Sequence, residues 1–469
     1  MAENYSSTIF QRKATDVRFT DVQWYRVTPQ NTLTDARNIN FTLQRFSSPN
    51  VYIINDMTLM VKVKLTLNDE ETKIPQDKNC SVVNNVLHSL FEKCKVYVEN
   101  VLTSDSSENY PYKAYIIDTL SYNNDSKLSF LQAAGYYMDS AFQMGNTMLN
   151  SGFQSRKERF QTPTFLPTGD VTWDYSLEEA CFVGRLHTDL SSSEGAILPS
   201  VEIRVVLERT SDDFVLLSET NENFQVHLKH ASLYVPVGTL NAELFTQIKT
   251  KLLKEPSRIY YTRSQVTLLQ IPSSSKHWTS PTLYSSLQLP SRLVLAFIPT
   301  ESLRGSKLKN PFDFQRKWTT TTEAVGGGFF GIGANADPIE RNPFVQKVGV
   351  TLNGKSLDGW ETTATELEDT MSFYRMHNVM GFAKSREGNA ISHLQYHNGY
   401  FFLCYDLSTS LNAGNALLVP SVRSGTLKVE VDFSEPLTIE LQMVCYAEFP
   451  SLMTIDSHRR VRCSFVPSA

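Results

Sequence analysis

The sequence predicts an all-β protein in which one β-domain is used twice. Three observations carry this: a surplus of strand-forming residues, several segments that alternate with period two, and an internal echo roughly 220 residues apart. At 469 residues the chain is too long for one hydrophobic core and suits two domains. Its 27 Phe and 20 Tyr, with many Val, Leu and Thr, fit half-buried pleated surfaces.

The alternation is explicit. In 57–67, Met57, Leu59, Val61, Val63, Leu65 and Leu67 share one face, against Lys62, Lys64 and Thr66. Val201, Ile203, Val205 and Leu207 oppose Glu202 and Arg204. Leu427, Val429, Val431 and Phe433 oppose Lys428, Glu430 and Asp432, and Ile439–Ala447 reads the same way against Glu440 and Gln442. One wet and one dry face per strand fits antiparallel sandwiches or barrels. Helical patterns are few. Asn241–Leu253 places Leu244, Ile248 and Leu252 on one face with Asn241 as N-cap, and 87–91 and 112–120 are shorter candidates.

The echo is ordered. Residues 188–201 (TDLSSSEGAILPSV) and 405–422 (YDLSTSLNAGNALLVPSV) both give Asp-Leu-Ser-x-Ser, a linker, Pro-Ser-Val and then a strand. Upstream, Lys95–Asn100 (KVYVEN) matches 347–353 (KVGVTLN), each followed by an aromatic-basic pair, Tyr112-Lys113 and Tyr374-Arg375. The same features in the same order predict two copies, each about the length of a jelly roll with insertions. Val226–Pro236 reads as the last strand of the first copy, so the domains are expected at residues 1–238 and 239–469. The longest stretches without periodicity are 104–111, 138–172 and 318–343; the last two are expected to be exposed loops or to lock subunits together.

Motifs for chemistry are weak. Gly326, Gly328 and Gly331 satisfy GxGxxG, but no helix pattern follows to present amides to a phosphate. His393 and His397 lie four apart without the glutamate of HExxH or an evident third ligand. His227 and His230, three apart in a strand, are expected on opposite faces. Tyr260-Tyr261-Thr262-Arg263 could stack bases, yet reads more simply as strand. No GxSxG elbow or P-loop occurs. The expectation is therefore no catalytic, cofactor-binding or metal site, and no enzyme.

A net charge of -5 lacks the cationic surplus needed to condense nucleic acid. Cys80, Cys94, Cys181, Cys404, Cys445 and Cys463 show no paired spacing for zinc or a disulfide framework. Residues 1–20 are polar, without the apolar run of a secretory leader, and no stretch reaches the ~20 apolar residues of a membrane helix. Free thiols in a reducing interior are expected, with the sequons at Asn4, Asn40, Asn79 and Asn124 unmodified.

With these features assembled, the chain resembles the double jelly-roll major capsid proteins of Polinton/Maverick elements and adintoviruses, relatives of adenovirus hexon and virophage capsid proteins. The likeness runs through LHSLFEKCKVYV (87–98), YPYKAYIIDTL (110–120), GRLHTDL (184–190) and RTSDDFVL (209–216) in the first half. In the second half it runs through LPSRLVLAFI (289–298), NPFDF (310–314), VTLNG (350–354), NGYFFLCYDL (398–407), GTLKVEVDF (425–433) and MVCYAEFPSLMTI (443–455). The resemblance covers about residues 50 to 460 and excludes the Gly-rich loop and the first 40 residues.

It implies two tandem eight-stranded antiparallel jelly rolls with short helices and long loop insertions. It further implies homotrimers shaped as pseudo-hexagonal tiles, which pack with neighbouring trimers, penton and minor capsid proteins into an icosahedral shell around double-stranded DNA. No cofactor, specific nucleic-acid binding or membrane insertion is implied. The location would be the virion capsid, assembled in the host nucleus or cytoplasm. The competing reading is a tandem β-sandwich carbohydrate-binding protein of lectin or adhesin type, since jelly rolls also bind sugars.

Overall fold

The structure is a computed structural model. It describes residues 17–465 except 34–36, 47–48, 106–108, 166–170, 177–178, 194–195, 285–287, 304, 319, 323–338, 342, 358–369 and 414–419. The Gly-rich 326–333 stretch therefore lies outside the described residues.

Sixteen strands build the frame. The first eight are β1 (Phe19–Val27), β2 (Asn38–Leu43), β3 (Thr58–Leu67), β4 (Phe91–Val98), β5 (Val101–Asp105), β6 (Ala180–Arg185), β7 (Ile203–Arg209) and β8 (Phe224–Leu240). The second eight are β9 (Ser257–Ile271), β10 (His277–Thr279), β11 (Arg292–Pro299), β12 (Val345–Leu352), β13 (Lys355–Ser356), β14 (Leu403–Asp406), β15 (Leu427–Phe433) and β16 (Leu441–Ile455). Their order is β1-β8-β3-β6 facing β2-β7-β4-β5, then β9-β16-β11-β14 facing β10-β15-β12-β13. All these pairs are antiparallel. Counted from the first strand of each set, both halves follow one path: 1-8-3-6 opposite 2-7-4-5. That is the jelly-roll winding, made twice, and it explains the sequence echo. KVYVEN and KVGVTLN lie in or just beyond the fourth strand of their set, and each Asp-Leu-Ser follows or closes the sixth.

The period-two segments fold as expected. β3 buries Leu59, Val61, Val63 and Leu65 and leaves Lys62 and Lys64 on the other face; β7 buries Ile203, Val205 and Leu207; β15 buries Val429, Val431 and Phe433. Each such side chain contributes about 1.5–3 kcal/mol on leaving water. β16 departs from its alternation. Val444 and Tyr446 are buried along with Met443 and Cys445: the second face turns toward the first half, where Tyr446, Glu448 and Pro450 line a cleft together with Lys113 and His187.

Among the described residues four helices of eight or more residues punctuate the strands: α1 (Tyr110–Ser121), α2 (Ser151–Glu158), α3 (Ala242–Leu252) and α4 (Thr370–Val379). α3 has the expected Asn241 cap, whose side chain accepts from the Glu243 amide. Among the described residues no helix is long and apolar enough to cross a membrane.

Of the two expectations for 138–172, an exposed loop or a subunit lock, the irregular loop is corrected over the described residues. Asn150 accepts from the amides of Gly152 and Phe153 and starts α2, and a hairpin of Gln161–Phe165 with Val171–Tyr175 follows. Met144, Phe153 and Arg156 are buried, while Phe142, Met148 and Leu149 remain exposed. Polar caps and a buried arginine carry no periodic signal, so the segment read as loop.

Candidate functional site: the seam between the barrels

The seam is organised by α1. Pro111 sits in its first turn, where its missing N–H costs nothing. Nearly every side chain from Tyr110 to Leu120 is buried, Ile117 being the partial exception. A helix dry on all sides shows no amphipathic stripe, because it is packed between structures rather than against one. Asn109 donates to the Val266 carbonyl of β9 at 3.2 Å. Tyr115 stacks on Phe312 at 4.3 Å, and Tyr112 meets the same ring edge-on at 5.7 Å. One continuous apolar cluster thus joins Tyr112, Tyr115, Ile116 and Leu120 to the strands of the second half.

Three buried polar groups interrupt that cluster. Lys113 Nζ lies 2.6 Å from Asp189 Oδ1, and the same oxygen accepts from the Ser264 amide at 3.0 Å and the Ser264 hydroxyl at 2.9 Å. Ser192, three residues on, accepts from the Thr262 amide at 2.8 Å. The first Asp-Leu-Ser turn is therefore docked onto β9. Secondly, Arg156 donates to Asp139 Oδ1 at 2.8 Å, to the Val82 carbonyl at 3.0 Å and to the Tyr137 carbonyl at 3.3 Å. Tyr400 of the second half donates to the Asp139 carbonyl at 2.8 Å. Thirdly, His187 Nε2 stands 2.9 Å from Asp118 Oδ1, Asn85 donates to Asp118 Oδ2 at 2.7 Å, and His88 Nδ1 is 2.9 Å from the Tyr110 hydroxyl.

His88, Asp118 and His187 are the one trio among the described residues whose ligand atoms gather within 4.8 Å. Their hydrogen bonds to Asn85, Tyr110 and one another already account for the arrangement. Burial and the neighbouring His187 hold the His88 imidazole down to about 3, against the pull of Asp118. Burial pushes the Asp118 carboxyl up, but His187, with His88 and Asn85, outweighs it and leaves Asp118 below the ordinary carboxylate value.

The sign follows from proton counts. Between about 3 and 6.5 the unfolded chain protonates His88 and the folded chain does not, so stability falls as pH drops through that window. Asp118 adds to the loss at lower pH, as it is protonated in the unfolded chain first. Stability is expected to fall by about 2 kcal/mol from pH 7 to pH 5 on account of His88. Urea midpoints of the wild type and of His88→Phe at the two pH values check it: the variant should lose most of that slope, and an unchanged slope would remove His88 as its source.

The other flagged residues do not converge. His227 and His230 are not on opposite faces, which corrects the simple strand count. The register shifts between Leu228 and His230, so Lys229 is an extra residue; His227 pairs with Lys64 and His230 with Lys62, placing both on the outward face. His393 and His397 share one short helix with ring centroids 5.2 Å apart. Tyr260–Arg263 belongs to β9, with Tyr260 half-exposed, Tyr261 buried and Arg263 over the Phe449 ring at 4.5 Å. The buried charges Lys113, Asp118, Asp139 and Arg156 were not singled out from sequence as site residues. Their available signal was a charge or histidine embedded in an apolar run, as in LHSL and AYIIDTL.

No family model matches the chain. An uncharacterised Caenorhabditis elegans protein is 24% identical over 385 residues, 80% of each chain. A chain of the Sputnik virophage structure superposes with a TM-score of 0.60 at 11% identity, covering 98% of this chain and 91% of that one. The Faustovirus major capsid protein gives 0.56 at 9% identity over 95% and 92%. The mavirus major capsid protein gives 0.50 at 10% identity over 98% and 93%. The fold is thus the double jelly roll of these capsid proteins.

Proposed function

We propose that the chain is a structural protein, the major capsid subunit of an icosahedral shell of the Polinton/Maverick and adintovirus type. The observation that carries this is the complete jelly-roll winding made twice and shared with viral capsid proteins over nearly the whole chain. Residues 1–238 and 239–469 would be the two upright barrels, with β8 of the first running on to Leu240, and three chains would supply six barrels to one pseudo-hexagonal tile. The seam supports this reading, because a tile needs its two barrels held at one angle, and α1 with its buried Lys113–Asp189 pair packs between them.

Surface chemistry supports it too. Val22, Trp24, Phe142, Met148, Leu149 and Leu394 are large apolar side chains left exposed, the kind of surface that obligate partners cover. Contacts between tiles would be smaller and more polar, penton and minor capsid proteins would complete the shell, and packaging of the DNA would fall to other proteins. In this reading the chain performs no catalysis, binds no specific nucleic acid and does not insert into a membrane; its place is the virion, after assembly inside the host cell.

The purified full chain should scatter light as three chains and show hexagonal outlines or closed shells in negative stain. A folded single chain at every salt and protein concentration would overturn the proposal and favour the carbohydrate-binding alternative.

A further inference from the structure

The duplication leaves one contact made and its counterpart unmade. Within the chain, the turn after the sixth strand of the first barrel (Asp189 to Ser192) sits on the first strand of the second, β9, at Thr262 and Ser264. The second barrel repeats the sequence of that turn at 406–410: Asp406 closes β14, its carboxylate accepts from the Ser408 amide and hydroxyl and from the Ala413 amide, and Thr409 and Ser410 are exposed. The first strand of the first barrel, β1, is exposed on both faces from Thr20 to Arg26, with Trp24 and Tyr25 among the exposed large side chains. Among the described residues strand β1 pairs on one edge, with β8.

The registers identify the equivalent positions. Thr262 pairs with Pro450, and Trp24 pairs with Pro236; two residues on, Ser264 pairs with Glu448 and Arg26 with Tyr234. Proline has no N–H for the ladder, so its partner occupies a pair whose N–H points away from it. Thr262 uses that free N–H to bind Ser192. The same register offers Trp24 and Arg26 outward, and their counterparts in the second turn are Thr409 and Asp406. The charges also match: Asp406 is acidic, and Arg26 is an exposed cation whose Nε donates to the Ser232 hydroxyl at 3.0 Å.

We infer that the 406–410 turn of one copy docks on β1 of a second copy, with Asp406 facing Arg26 and Thr409 at the Trp24 backbone, repeating between chains the contact made inside each. The contact is head-to-tail, so it closes a ring or runs on. This rests on the capsid-subunit reading, under which it closes at three chains.

The test uses two full-length variants, Trp24→Glu/Arg26→Glu and Thr409→Arg/Ser410→Arg, with light scattering of the wild type, each variant and their mixture. Expected are three chains for the wild type, one for each variant alone, and a one-to-one pair in the mixture, since each variant retains the half that the other lacks. A variant that keeps three chains, or two single-chain variants that never pair, overturns this contact while the capsid reading stands. A single-chain wild type removes both. Should a variant fail to fold by circular dichroism, Trp24→Cys/Thr409→Cys in the otherwise intact chain answers the same question. Oxidation must give covalent multimers beyond the background of the parent, which has an exposed Cys463, and their absence overturns the contact.

Discussion

Arg156→Met is expected to destabilise the folded chain by about 3–5 kcal/mol, because it leaves Asp139 as an uncompensated charge in the interior. Both side chains of the pair are fully buried, and the guanidinium also serves two carbonyls. Replacing both partners, as Arg156→Met with Asp139→Leu, should be closer to the wild type than Arg156→Met alone, since no charge is then stranded. Urea unfolding of the three proteins checks the order. If the single variant falls within 1 kcal/mol of wild type, the pair behaves as a solvated surface bridge, contrary to its burial.

Lys113→Met should cost a similar amount, about 3–5 kcal/mol, because it strands the buried Asp189 beside the first turn of α1. Here a graded comparison is available. Ser264→Ala removes a neutral hydroxyl donor to Asp189 but keeps the amide and the lysine, and is expected to cost only about 1 kcal/mol. Equal effects for the two would mean that the contact with β9, rather than the charge, holds the turn. The Lys113 variant should in addition loosen the seam, seen as faster amide exchange in β9 than in the barrel interior strands.

Much of the frame was legible because half-buried strands advertise themselves. β3, β7 and β15 each have one wet face, so their periodicity survives in the sequence, and the duplicated Asp-Leu-Ser turn marked the two copies. The seam was illegible for the opposite reason. α1 and the central part of β16 are dry on both sides, and burial all round erases period. The Lys229 bulge shows a second limit: one extra residue turns His230 to the face of His227, and no composition signal marks where a ladder slips. The seam charges were hidden because a buried lysine and a surface lysine are the same letter; only the fold brings Lys113 to Asp189.

The helix buried on all sides also constrains biosynthesis. Tyr112 and Tyr115 leave the ribosome with the first barrel, but Phe312, on which Tyr115 stacks, follows roughly two hundred residues later, about 10–40 s at typical elongation rates. For that interval the first barrel carries a bare aromatic face. Chaperones that recognise such surfaces would have their longest opportunity there, and slowing translation between the two barrels would lengthen the exposure that leads a nascent chain to aggregate.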